Sequence, residues 1–167
     1  WEMSPAEWQK VVGVNLHGAF NFARLVTPGM VQRRFGSIVN MSSVAGKAFV
    51  GFTAAHYGTT KAALIGLTRD LAGELGPHGI TVNAIAPTAM GATFHKLAAE
   101  NPGFAEASAA LRPLGRSGDP EADIAPAVLF LASELSCYMT GEAIHVDGGL
   151  HLPGYNSRPR DVPVREY

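Results

Sequence analysis

At 167 residues, 47% of them hydrophobic and 16% charged, the chain has enough apolar material for one compact core and too much for a disordered or fibrous protein. A net charge of −1, with Lys and Arg scattered, leaves no basic stripe and excludes nucleic acid as an expected partner. No apolar run reaches the roughly 18 residues that a membrane span needs, because Lys47, His56, Lys61 and Arg69 interrupt the richest stretches, and a single cysteine excludes an internal disulfide framework.

We therefore expect a soluble chain in a reducing cytoplasm, with Cys137 as a small residue at least half buried. The opening Trp1-Glu2-Met3-Ser4-Pro5 has neither an initiator Met nor the layout of a leader peptide, so a start upstream of Trp1 is expected.

Ser4, Pro5 and Glu7 carry the signature of a helix start: a capping serine, proline at the first helical position and a glutamate that reaches back. The spacing predicts a long helix from there to about Arg34. Ser37-Ile38-Val39-Asn40-Met41 is a short β-favouring run that suits a buried parallel strand, and it ends at Ser42-Ser43. A glycine-containing loop leads to a second helix, about Ala55–Leu75, which Gly76-Pro77-His78-Gly79 terminates.

Residues 80–86 form a second strand closed by Pro87. Residues 88–116 are helix-prone but broken at Asn101-Pro102-Gly103 and Arg112-Pro113, the pattern of a lid or binding loop. Asp119-Pro120-Glu121 opens a third helix through Leu131 or Ser133, and residues 143–147 form a third strand ended by Gly148-Gly149. Residues 150–167 read as an irregular tail.

Alternating helices and strands imply parallel strands joined by right-handed crossovers, an α/β sheet of the doubly wound kind with three strands and helices on both faces. Ligands of such sheets bind outside the carboxyl ends of the strands, here Ser42-Ser43, Pro87-Thr88 and Asp147-Gly148.

Tyr57 and Lys61, four apart, fall on one helix face about a turn from each other. A free phenol titrates near 10; a nearby cation favours its phenolate, which makes a tyrosine usable in proton exchange at neutral pH. Alone, the pair reads first as a solvated helix face. Ser43 adds weight, because a hydroxyl at a strand end on the ligand side can hydrogen-bond a carbonyl oxygen as hydride arrives. With no acidic residue beside it and no histidine at a neighbouring strand end, a Ser-His-Asp hydrolase fits poorly.

Asn15 sits mid-helix, where asparagine competes with helical hydrogen bonding; it either caps a kink or holds a water. The six histidines show no pair at metal-ligand spacing, so they read as surface or satisfied core residues and no metal is expected.

Five ordered blocks now carry a resemblance: Val14-Asn15-Leu16-x-Gly18-x-Phe20; Gly36 to Ser43 with Ala45-Gly46; Tyr57-Gly58-x-x-Lys61; Gly79 to Pro87; and Thr140-Gly141-Glu142 with Val146-Asp147-Gly148-Gly149. Together they resemble the short-chain dehydrogenase/reductase family over about residues 8–149.

The resemblance implies the C-terminal catalytic half of a Rossmann-type domain in residues 1–149. It also implies an NAD- or NADP-dependent oxidoreductase interconverting a secondary alcohol and a ketone. By position, the family tetrad falls on Asn15, Ser43, Tyr57 and Lys61. Tyr57 would be the acid/base and Ser43 would polarise the substrate oxygen. Lys61 would act on the phenol and bind the nicotinamide ribose, Tyr57 would also touch the cofactor, and Asn15 would hold a relay water. Pro87, Thr88, Met90 and Thr93 would face the carboxamide, the Met90 backbone among them, although Thr88 stands where the family usually has Gly and Thr93 lies one place late.

The family's Thr-Gly-x-x-x-Gly-x-Gly turn is absent from this sequence, so tight dinucleotide binding by this chain is not expected. A sheet lacking that half would leave its inner edge uncovered. A small-molecule alcohol or carbonyl substrate and homo-oligomerisation through the helix faces are implied. A non-catalytic binding or oligomerisation scaffold is the alternative, and an epimerase or dehydratase a more distant one.

Overall fold

A computed structural model describes residues 2–49 and 54–152. The expected tail from residue 153 onward and the middle of the loop after Ser43 lie outside them. Among the described residues the main elements are α1 (Pro5–Val12), a π-helical turn (Gly13–His17), α2 (Gly18–Arg33), β1 (Gly36–Met41), α3 (Ala55–Leu75), β2 (Ile80–Pro87), α4 (Ala92–Glu100), α5 (Phe104–Ala110), a second π-helical turn (Pro120–Ile124) that runs into α6 (Ala125–Ala132), and β3 (Ala143–Val146).

The first helix starts as its sequence dictates. Ser4 Oγ accepts from the Glu7 N–H at 3.3 Å while the Glu7 carboxylate accepts from the Ser4 N–H at 2.9 Å, so two helix-end donors are satisfied reciprocally. Its continuity to Arg33 is interrupted over Gly13–His17, a run without strong helix formers other than Leu16. Between Gly13 and Gly18 the backbone widens by one residue, and the Gly18 N–H donates to the Gly13 carbonyl. Asn15 lies inside that turn.

The sheet runs β1-β2-β3, all parallel, with Gly36 opposite Ile80 and Ala84 opposite Ala143. Gly79 makes the first pairing possible. Its φ is +75°, and a Cβ there would lie 2.5 Å from the Arg34 carbonyl oxygen, so only glycine lets β2 start beside the end of α2.

Alternation along β2 sends side chains to two separate cores. Ile80 and Val82 pack with Ala72 and Leu75 of α3, closed by Met30, Val31 and Ile38. Ile85 packs with Ile124 and Leu131 on the opposite face, closed by Val39, Val128 and Ile144. The expected two-faced α/β layering is therefore present, with α2 and α3 on one side and α6 on the other.

Within the described residues β1 pairs only with β2. Beside β1 lies a groove of about 410 Å³ lined by that strand and by Ala19, Phe22, Val26 and Met30. No described helix is long and apolar enough to cross a membrane.

Cys137 departs from expectation. It is exposed, because the short turn after α6 buries Ser136 and turns the next residue outward.

The entry to α6 is tied to the preceding loop by charge. Arg116 grips Asp123 through two N–H···O bonds of 2.5 and 2.7 Å, and the Asp119 N–H donates to the same carboxylate at 2.7 Å. The Arg116 hydrogen bonds first, and then the Asp119 N–H, hold Asp123 well below the usual carboxylate range. A carboxylate whose folded pKa is depressed contributes stability that is complete above its unfolded pKa, about 3.9, and is lost as pH falls toward the folded value. Asp123→Asn should therefore lower Tm near pH 7, and its deficit against the parent should shrink as scans move from pH 5 toward pH 2. A deficit that does not change with pH would exclude this ion pair as its source.

Candidate functional site

The site forms where the carboxyl ends of β1 and β2 meet the first turns of α3. Ser42 and Ser43 diverge there. Ser42 is buried; its N–H continues the ladder to the Ile85 carbonyl at 2.8 Å, and its hydroxyl donates to the Lys61 carbonyl at 2.7 Å. Ser42 is thereby committed to holding the strand end against α3. The extended backbone of Ser43 turns its side chain the other way, where Oγ accepts from the Ala45 N–H at 3.1 Å and the hydroxyl hydrogen remains available.

Gly46 sets how closely this turn approaches α3. A Cβ at Gly46 would lie 2.6 Å from the Lys61 carbonyl carbon and 2.7 Å from its oxygen, both rigid helix backbone. Gly46→Ala should therefore push the Ser43 turn off α3 and cost roughly 1–3 kcal/mol, as overpacking against backbone does. Urea denaturation checks this, and a variant as stable as the parent would show that the turn is not seated there.

Tyr57 and Lys61 share the α3 face as their spacing predicts, with the Lys61 ammonium 5.6 Å from the centre of the Tyr57 ring. Lys61 Nζ donates to the Met41 carbonyl at 2.7 Å, and burial pulls the ammonium below its ordinary lysine value. Among the described residues, two of its three N–H donors stay open. Asn15 reaches the same helix from the π turn. Its Nδ2 donates to Thr60 Oγ1 at 3.1 Å, and that hydroxyl donates to the Tyr57 carbonyl at 2.9 Å. The kink and the side-chain tether thus occur together, and Asn15 Oδ1 is left as an acceptor.

Ser43 and Tyr57 open into one cavity of about 430 Å³, whose wall also holds Pro87, Thr88, Thr93 and Arg112. Thr88 is fixed by its N–H to the Val146 carbonyl at 3.1 Å and by its hydroxyl to the Asp147 carbonyl at 3.4 Å. The Met90 N–H donates to the Gly118 carbonyl at 2.9 Å. Met90 is not among the residues lining the cavity.

Sequence reasoning missed Arg112. Only 6% exposed, it donates through Nη1 to the Ser108 carbonyl and, at 2.9 Å, to the Ser108 hydroxyl, while its Nε is buried without a partner among the described residues. Burial lowers its pKa and the Asp147 carboxylate opposes that shift. The one available signal was its place beside Pro113, at a break in the 88–116 segment. Also unforeseen is a cluster at the end of β3, where His145, Asp147 and His151 bring donor atoms within 4.8 Å of one another.

Residues 1–151 match the family model described as enoyl-(acyl carrier protein) reductase. The chain is 44% identical over 152 residues to a 3-oxoacyl-(acyl-carrier-protein) reductase from Aquifex aeolicus, covering 89% of this chain and 58% of that protein. Among solved structures, a 3-oxoacyl-(acyl-carrier protein) reductase with bound NAD from Brucella melitensis is 46% identical with a TM-score of 0.80, covering 91% of this chain and 55% of that one. A gluconate 5-dehydrogenase from Burkholderia cenocepacia, in complex with NADP and tartrate, is 32% identical with a TM-score of 0.83, over 89% of this chain and 58% of that one. The chain thus spans a little under three fifths of the length of these relatives. With five sequence blocks, a parallel α/β sheet and a family model all in register, the chain belongs to the short-chain dehydrogenase/reductase family.

Proposed function

We propose that this chain supplies the proton-transfer half of an NAD- or NADP-dependent reductase that interconverts a ketone and a secondary alcohol, 3-oxoacyl-reductase-like in its substrate. The observation that carries the proposal is the shared cavity: a serine hydroxyl and a tyrosine phenol from different elements open into it, with a lysine ammonium 5.6 Å from the ring. The relatives bearing the 3-oxoacyl reductase name support the substrate class.

The donors around the cavity fit the nicotinamide end of such a cofactor. Lys61 has two N–H groups left for ribose hydroxyls, and Pro87, Thr88 and Thr93 offer a partly polar wall to a carboxamide. When bound, the nicotinamide supplies hydride to the carbonyl carbon.

The chain's own groups do the rest. Ser43 donates a hydrogen bond to the substrate oxygen and steadies the charge that grows there. Tyr57 gives its phenolic proton to that oxygen, so that ketone, hydride and proton sum to the alcohol. Lys61, anchored on the Met41 carbonyl, holds positive charge beside the phenol and against the ribose. Asn15 positions the first turn of α3 through Thr60 and keeps Oδ1 free for a water. In this reading residues 1–149 are one catalytic unit, and Phe22 and Leu25, exposed on α2, belong to a face used in homo-oligomerisation.

The experiment is a nicotinamide oxidation assay on the chain joined to a dinucleotide-binding half that carries the glycine-rich turn. A 3-oxoacyl thioester should be reduced with kcat/KM at least about tenfold above gluconate-type polyols in the reverse direction, within the range that pocket contacts discriminate. Neither substrate turning over, with cofactor bound, would favour the scaffold reading.

A further inference from the structure

The cluster at the end of β3 has no part in the proposed proton transfer. We infer that His145, Asp147 and His151 form a binding site for a divalent transition metal ion of the zinc, cobalt or nickel class, held by two imidazoles and one carboxylate.

The geometry is close to what such an ion needs. His151 Nδ1 lies 2.9 Å from Asp147 Oδ2 and 3.0 Å from Oδ1. This is a hydrogen bond, which an ion would replace, the donors then moving apart to the roughly 3.3–3.5 Å of tetrahedral ligands held at about 2.0–2.2 Å. The His145 and His151 rings stack with centres 3.8 Å apart and planes 11° apart, so both imidazoles stand beside the same carboxylate. The three donors lie within 4.8 Å of one another, and rotation of the stacked His151 ring, on an exposed turn, would aim its nitrogen at the point where the other two converge.

Asp147 is prearranged. It is 5% exposed, and its carboxylate accepts from the Gly149 N–H at 2.9 Å and the His151 N–H at 3.0 Å, which fix its direction as outer partners fix metal-binding carboxylates. Gly149, at φ +86°, permits the turn that folds His151 back over β3.

Room for further ligands exists: a cavity of about 490 Å³ adjoins the cluster, lined by His145, Asp147 and His151 together with Thr88, Arg116 and Asp123. Waters there would complete the coordination. Two nitrogens and one oxygen suit borderline metals better than magnesium or calcium. The ion would pin the C-terminal end of β3 to the turn after it.

The test uses the full chain without a polyhistidine tag, titrated with Co²⁺ while its visible d–d absorption is followed, with calorimetry in parallel. One ion per chain should bind and raise Tm by several degrees. His145→Gln and His151→Gln should each weaken binding at least about tenfold, whereas His78→Gln and His95→Gln, outside the cluster, should leave it within twofold. Because His151 lies outside the strands, H151Q reads ligation even if H145Q perturbs the fold. No saturating band up to about 1 mM Co²⁺, or affinity unchanged in H151Q, overturns the site.

Discussion

Replacing Tyr57 with Phe, in a polypeptide that unites this chain with a dinucleotide-binding half, is expected to lower the rate of ketone reduction by about 10²-fold or more. The substitution removes a single hydroxyl from the cavity wall and leaves the ring that packs beside Lys61. Its backbone duties also survive, since the Tyr57 carbonyl accepts from Thr60 in either variant. Cofactor affinity should then change little, while kcat and kcat/KM fall together, the mark of an interaction made only in the transition state. Ser43→Ala should act in the same direction through the oxygen it steadies. If Y57F kept its rate within a few-fold of the parent, the phenol would not be the proton donor, and the assignment of Ser43 and Lys61 around it would lose its basis.

Much of the fold was legible because its signals are local. The α3 boundaries follow from helical spacing followed by Gly76-Pro77, and the α1 start from the Ser4 and Glu7 capping pair, both of which the structure reproduces. The strand assignments held for the same reason: β-favouring runs of six and eight residues are bounded by glycine or proline. The π turn was visible only as an oddly placed Asn15 between two glycines, because one-dimensional periodicity does not distinguish a widened turn from a kink.

What escaped the sequence depends on side chains from distant elements meeting. Arg112 is unremarkable in composition and becomes distinctive once burial leaves its Nε without a partner against the cavity. His145 and His151 are six apart, a spacing with no meaning on a helix or a strand, and only the left-handed glycines Gly148 and Gly149 fold them together. Cys137 failed in the opposite sense: a residue type usually buried faces solvent because the turn after α6 buries Ser136 instead.

Ile85→Ala is expected to be the most damaging single change to the fold, costing roughly 2–5 kcal/mol. Ile85 is fully buried in the central strand and touches Ile124 and Leu131 beneath α6, so truncation leaves a cavity that neither the sheet nor the helix can collapse into without breaking the β2 pairings on both sides. Val82→Ala, equally buried on the opposite face, removes less volume from a core shared by α2 and α3, so its cost should be smaller. A domain of this size has only about 5–15 kcal/mol of stability in total. Urea titrations should show the I85A midpoint shifted down with the slope unchanged, because the surface exposed on unfolding hardly alters. The same truncation should also depress catalysis in the joined polypeptide above the temperature at which I85A begins to melt. Ile85 lies opposite Met41, the residue whose carbonyl anchors Lys61, and its own carbonyl accepts from Ser42. An I85A variant with the parent's midpoint would mean that α6 does not pack on β2 as described, and that the strand ends carrying Ser43 and Thr88 are positioned by something other than this core.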